Sequence, residues 1–231
     1  MTEFNRELAR QATLPFVNQS LGETGEVGLV EAFIEICDFL HGYPIYLSSR
    51  SKENPPDVYS EDGLQKLASQ YFSGYRRLDF PKQPATVPDE VVSIVMQAAY
   101  GYSQHDCERI KQEHQHSMSA ENCVGALLER YLDSVLRARG WSWCCGNFVK
   151  AIDFVKRDES ERWLALQVKN RDNSENSSSS AIRAGTTIQK WFRSFSKKPQ
   201  TNWDNLPPLM QGYGLSEQGF IAFVKSYLSQ N

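Results

Sequence analysis

Three side chains in the second half of the chain, Asp153, Gln167 and Lys169, have the types and spacing that phosphodiester hydrolysis needs. Cleavage by an activated water requires an oxygen-rich site for a divalent cation. It also requires a group that orients the nucleophile or stabilises the charge building on the phosphate. Magnesium takes oxygen ligands and keeps several waters, so one or two carboxylates and a substrate phosphate suffice. Asp153 offers a carboxylate, Gln167 a neutral amide oxygen and Lys169 a cation. That set is short of negative charge, and Glu129, upstream, can supply it.

The elements that must position these groups follow from periodicity. Val149 to Val155 and Trp163 to Arg171 alternate apolar and polar residues, the period of half-buried strands. The charged stretch 156–162 joins them as an antiparallel hairpin. Parity turns Asp153 away from Ile152 and Phe154, and sets Gln167 and Lys169 on the face opposite Leu166 and Val168. Ahead of the hairpin, Ser119 to Leu136 reads as a helix with Ser119 as N-cap and Gly140 as the stop, carrying Glu129. Glu121 falls in its first turn, where the helix dipole favours an acid. Trp141 to Cys145 reads as a short edge strand and Gly146-Asn147 as a turn.

The region 1–116 reads as mainly helical, with helices over Glu26–Leu40, Asp62–Tyr75 (capped by Ser60), Glu90–Tyr102 and Asp106–Gln115. It carries no catalytic set and reads as a layer packed on the core 117–231, supporting the site or forming a dimer face. Asn173 to Ser180 is low in complexity: a flexible linker, or a loop that orders on a ligand. Ala181 to Phe195 resumes helical spacing with Arg183, Lys190 and Arg193 displayed, and Phe220 to Leu228 reads as a closing helix. The expected class is α/β, a mixed sheet flanked by helices with a helical N-terminal region.

The 231 residues can bury a sizeable core, and 40% apolar content with a formal charge of −3 describes a soluble globular chain. No run approaches the ~20 apolar residues of a membrane span, and the first residues lack a signal peptide's pattern, so the expected location is the cytoplasm. Five cysteines, two of them adjacent, point to reduced, packed thiols. His105, Cys107, His114, His116 and Cys123 invite a zinc reading, but their spacing fits no compact finger. Between residues 150 and 198, eleven basic residues face six acidic ones, a net of +5 that leaves −8 for the remainder. Such a concentration around a candidate site points to a polyanionic ligand.

The order of a helical Glu, Ile-Asp at a strand end and Gln-x-Lys on the next strand resembles the PD-(D/E)xK nuclease superfamily. Ile152 stands where that pattern has proline, and Gln167 where it has an acid. The surrounding text is more specific. Ser117 to Asn122, Leu127-Leu128-Glu129-Arg130-Tyr131, Gly140-Trp141, Lys150 to Phe154, Leu166 to Ser179 and Lys190-Trp191-Phe192-Arg193 resemble the SinI family of type II restriction endonucleases, over roughly residues 117 to 205.

The resemblance implies a restriction-endonuclease-like fold and a magnesium-dependent enzyme that cuts both strands of a short, near-palindromic DNA of the GGWCC type. A homodimer matches such a site, and a methyltransferase of the same system is the functional partner. Asp153, Gln167 and Lys169 take the motif positions and Glu129 that of the helix carboxylate, with Asp153, Gln167 and Glu129 toward the metal. For DNA, Arg171, Arg183, Lys190 and Arg193 with Asn170, Asn173, Asn176 and Ser178 have suitable chemistry, and Asn173 to Arg183 is the expected recognition loop. Two competing readings stand beside this one: a catalytically silent DNA-binding module, motivated by the neutral Gln167, and a structure-selective repair nuclease.

Overall fold

Ser103 and Asp106 start the longest element of the fold. The Ser103 hydroxyl accepts the Asp106 N–H while the Asp106 carboxylate accepts the Ser103 N–H, satisfying two donors that a helix start leaves open. From there α5 (Gln104–Leu136) runs without interruption. The computed structural model describes residues 3–17, 23–48, 57–82, 87–172 and 188–230. Ahead of α5 come α1 (Arg6–Thr13), α2 (Glu23–Gly42), α3 (Glu61–Arg76) and α4 (Glu90–Tyr100). After it come β1 (Ser142–Trp143), β2 (Phe154–Arg157), β3 (Trp163–Arg171), β4 (Ile188–Ser194) and α6 (Glu217–Ser229).

The unbroken α5 corrects the expectation of two helices. No Gly or Pro lies between residues 104 and 124, so nothing stops propagation, and Ser119 is not a cap. Its hydroxyl donates to the Lys82 carbonyl at 2.8 Å. The expected division between residues 116 and 117 falls inside this helix. Ser60 does cap α3, accepting the Gly63 N–H, and Gly140 ends the turn after α5 at a φ of 81°.

The strands pair in the order β1-β2-β3-β4, antiparallel except for parallel β3 and β4. α2 packs on β1 and β2 and α5 on β1 and β3, so the mixed sheet flanked by helices is the class expected. One continuous core joins Phe33 and Leu40 of α2, Leu64 and Phe72 of α3, Leu128 and Leu132 of α5, the strand residues Phe154, Leu166 and Val168, and Phe220 of α6. All five cysteines are buried free thiols.

Two strand expectations need correction. β2 begins only at Phe154 and continues through Lys156 and Arg157, residues that read as loop because of their charge. Their partners are remote in sequence: Lys156 Nζ donates to the Arg139 carbonyl at 2.7 Å, and Arg157 pairs with Asp38 of α2 at 2.6 Å with its guanidinium over the Trp163 ring. Residues 149–153 leave the sheet, with Val149 bridging Leu47 and Ala151 at a φ of 60°. Residues 188–194, expected helical, form β4. Trp191 is buried opposite Val168, and β-branched and aromatic residues favour the pleated surface. A short apolar run fits both periods, and only pairing decides between them.

Arg130 locks α5 to the chain after α3. It donates to the Tyr75 carbonyl at 2.9 Å, to the Arg77 carbonyl and to the buried Asp79 carboxylate, and its guanidinium lies over Trp143 and Tyr227. Removing a partner from a buried pair strands a charge. Arg130→Leu should therefore cost about 3 kcal/mol in urea unfolding, and a loss below about 1 kcal/mol would show that the cluster adds little.

Candidate active site

Asp153 is held by three bonds. Its N–H donates to the Leu166 carbonyl at 2.9 Å, its carbonyl accepts the Cys144 N–H at 2.8 Å, and Oδ2 accepts the Val168 N–H at 2.6 Å. The side chain thus docks on β3 between Gln167 and Lys169. Ala151 in left-handed geometry, a conformation that costs a non-glycine residue about 1 kcal/mol, turns the chain just ahead of it. Close approach of Gly74 and Gly146 seats the neighbouring turn on α3: a Cβ on Gly74 would lie 2.6 Å from the Gly146 nitrogen.

Glu129 reaches the same place from α5. Trp143 Nε1–H donates to Glu129 Oε2 at 2.9 Å, so the strand before the site fixes the helix carboxylate. Burial first, and then the Asp153 charge, raise the Glu129 pKa, while the Trp143 bond and Lys169 oppose the shift. Burial also raises that of Asp153, against the Val168 N–H and Lys169. Lys169 therefore acts electrostatically on both carboxylates. Gln167 is 1% exposed, and its Oε1 has no hydrogen-bond partner among the described residues. A buried unpaired oxygen is expensive.

Two recesses meet at Glu129. One, of about 290 Å³, is lined by Glu121, Asn122, Glu129, Lys169, Asn170 and Arg171, among others. The other, of about 220 Å³, contains Arg77, Trp143, Ala151 and Asp153. A divalent cation fits the donors present. The Glu129 and Asp153 carboxylates, which share one recess, are hard, anionic oxygen donors. Among the described residues no three His, Cys, Asp or Glu side chains form a metal cluster, so the rest of a cation's shell would come from water and a substrate phosphate.

The structure thus brings Glu129, Asp153 and Lys169 together, while Gln167 is buried two residues before Lys169 on β3 and lines neither recess. Parity is only half kept, because residues 165–168 are buried on both faces of β3 rather than alternating with solvent. Arg171 is exposed at the recess mouth and meets Glu121 at 3.7 Å, so Glu121 is a mid-helix ion-pair partner and not a first-turn acid. Arg193 is no displayed DNA contact: it bonds Asn170 Oδ1 at 2.9 Å and Glu217 at 2.6 Å, over the Phe220 ring. That tie also engages Asn170. Lys190 is half-buried on β4, and Asn173, Asn176, Ser178, Arg183 and the expected recognition loop lie outside the described residues. His105, His114 and His116 are strung along α5, while the Cys107 and Cys123 thiols face the Ser93 and Asp79 carbonyls. Trp143 as the partner of Glu129 escaped the sequence, since a tryptophan's single donor carries no spacing signal.

The model of the SinI restriction endonuclease family matches residues 16–230. The chain belongs to that family. It is similar to the type II restriction enzyme Eco47I of Escherichia coli, 48% identical over 202 residues, and to the type II restriction enzyme SinI of Salmonella infantis, 47% identical over 202 residues, in each case over 87% of both chains. Membership in the SinI family bears out the expected class of activity, that of a site-specific endonuclease. The match also takes in most of the N-terminal helices, well beyond the stretch that carries the resemblance in the sequence.

Glu129 binds its proton more tightly in the folded chain than at the ordinary value of 4.5. Its contribution to stability is then full at low pH and is lost as the pH rises past that value. With a chelator present, Glu129→Gln should gain stability relative to the unsubstituted chain as the pH is raised from 4.5 through neutrality. Urea melts at several pH values measure this, and a difference independent of pH would refute it.

Proposed function

We propose that this chain hydrolyses both strands of a short, near-palindromic DNA site of the GGWCC type with magnesium, as a homodimer. The site is a PD-(D/E)xK arrangement in its QxK form, Asp153, Gln167 and Lys169 with Glu129. The observation that carries this reading is the pair Glu129 and Asp153, two buried carboxylates fixed by the Trp143 and Val168 N–H groups, with Lys169 acting on both. The similarity to two type II restriction enzymes supports the substrate class. Residues 117–231 hold the chemistry, region 1–116 supports them, and the enzyme works in the cytoplasm beside a methyltransferase of the same specificity.

Asp153 and Glu129 would hold the cation, which lowers the proton affinity of water and counters charge on the scissile phosphate. The Val168 N–H keeps the Asp153 carboxylate from turning, and Trp143 does the same for Glu129. Such pre-organisation spares the reorganisation that water would demand. The Lys169 ammonium orients the nucleophile or meets the developing phosphate charge. Arg171 at the recess mouth has the charge to meet the DNA backbone, which makes binding fall steeply with salt.

A plasmid digest with magnesium and mapped ends tests this. Discrete fragments ending at GGWCC sites are expected, with Asp153→Ala abolishing cleavage while leaving DNA binding in place. Lys169→Met should lower kcat by roughly 10² to 10³. The neutral Gln167 favours one other reading, a silent DNA-binding module, for which binding without cleavage would speak; ends that track junctions or lesions would instead mark a repair nuclease.

A further inference from the structure

α4 is inside out. Its one buried side chain is Ser93, whereas Val91, Val92, Ile94, Val95 and Tyr100 are between 44% and 70% exposed. Ala98 and Ala99 continue the same exposed set at helical spacing. An apolar helix face belongs against another surface. Within the chain its cover comes from the N-terminal part of α5, where Cys107 meets the Ser93 carbonyl and Gln104 meets Gln97. No residue between 87 and 122 belongs to the main core, so α4 and that part of α5 stand as an arm beside it.

We infer that this α4 face is the surface on which two copies of the chain associate, α4 against α4 about a two-fold axis. The choice of a second copy rests on the proposed two-strand cleavage, because each chain carries one Glu129–Asp153 site. DNA is a poor occupant: α4 has no Lys or Arg, Asp89 and Glu90 begin it, and the neighbouring charges of α5 pair among themselves as Lys111–Glu108 and Arg109–Glu113. On one side of α4, Val91, Val92, Ile94 and Val95 with Ala98 and Ala99 expose roughly 500 Å² of apolar side chain per chain, the larger part of the ~800 Å² per partner of a standard interface. A patch of that size is at the upper end for a monomer. Ala98 and Ala99 leave room for two helices to approach closely.

Sedimentation velocity of the full chain, without DNA or metal, is the test. A dimer is expected at micromolar concentration, with Ile94→Glu raising its dissociation constant at least 100-fold and leaving the far-ultraviolet circular-dichroism spectrum unchanged, since Ile94 is 61% exposed in the single chain. A monomeric parent, or a dimer that withstands Ile94→Glu, would overturn the inference. As a second measure, Ala98→Cys treated with a short bismaleimide should yield covalent dimer, while the parent's five buried cysteines should not; absence of that product would also count against the inference. Neither readout needs cleavage, so a parent that dimerises through α4 yet never cuts DNA sinks the proposed function alone. On supercoiled plasmid the Ile94→Glu chain should give nicked circles where the parent gives linear product. Equal yields of linear product would be a further contradiction.

Discussion

The grip of Arg130 on the chain between Tyr75 and Asp79 is the constraint on which the rest depends. A helix can slide or spin on a sheet, and apolar packing alone tolerates small rotations. Three polar partners on one guanidinium, with Trp143 and Tyr227 against its faces, remove that freedom. Glu129 is the preceding residue, so its direction is settled by its neighbour's bonds. Trp143 then serves both, stacking under Arg130 and donating to Glu129. Fold stability and site geometry share the same few atoms.

The site itself is a place where the fold accepts unfavourable terms. Two carboxylates lie close in a poorly solvated recess, and Ala151 takes a left-handed turn just ahead of one of them. Such a cluster is reasonable only where a cation and an anionic substrate restore the balance. Lys169 answers part of the excess charge in the free protein. Buried anionic sites of this kind trade stability for readiness.

How much of this was legible in the chain depends on the distance over which each signal acts. Local signals read true: the Ser60 cap, the Gly140 stop, and the spacing of Gln167 and Lys169 on one strand. The capping box at Ser103 was equally local, yet Ser119 drew attention because a serine before an apolar run mimics a helix start. Lys156 and Arg157 looked like loop residues, since nothing nearby shows that Asp38 and the Arg139 carbonyl will receive them. β4 was hidden for a similar reason, its pattern becoming a strand only beside β3. The basic excess around the site overstated the free charge, because Arg157, Arg162 and Arg193 find acids within the fold.

The continuity of α5 has a consequence for how this protein can vary. One rod carries the arm at its start and Glu129 near its end, with no loop between them to absorb a change. A single inserted residue would turn one part against the other by about 100° and move it by about 1.5 Å. Only insertions near whole turns would keep both ends in phase. The helix is therefore a ruler, and the stretch between Cys107 and Glu129 should tolerate exchange of its letters far better than a change in their number.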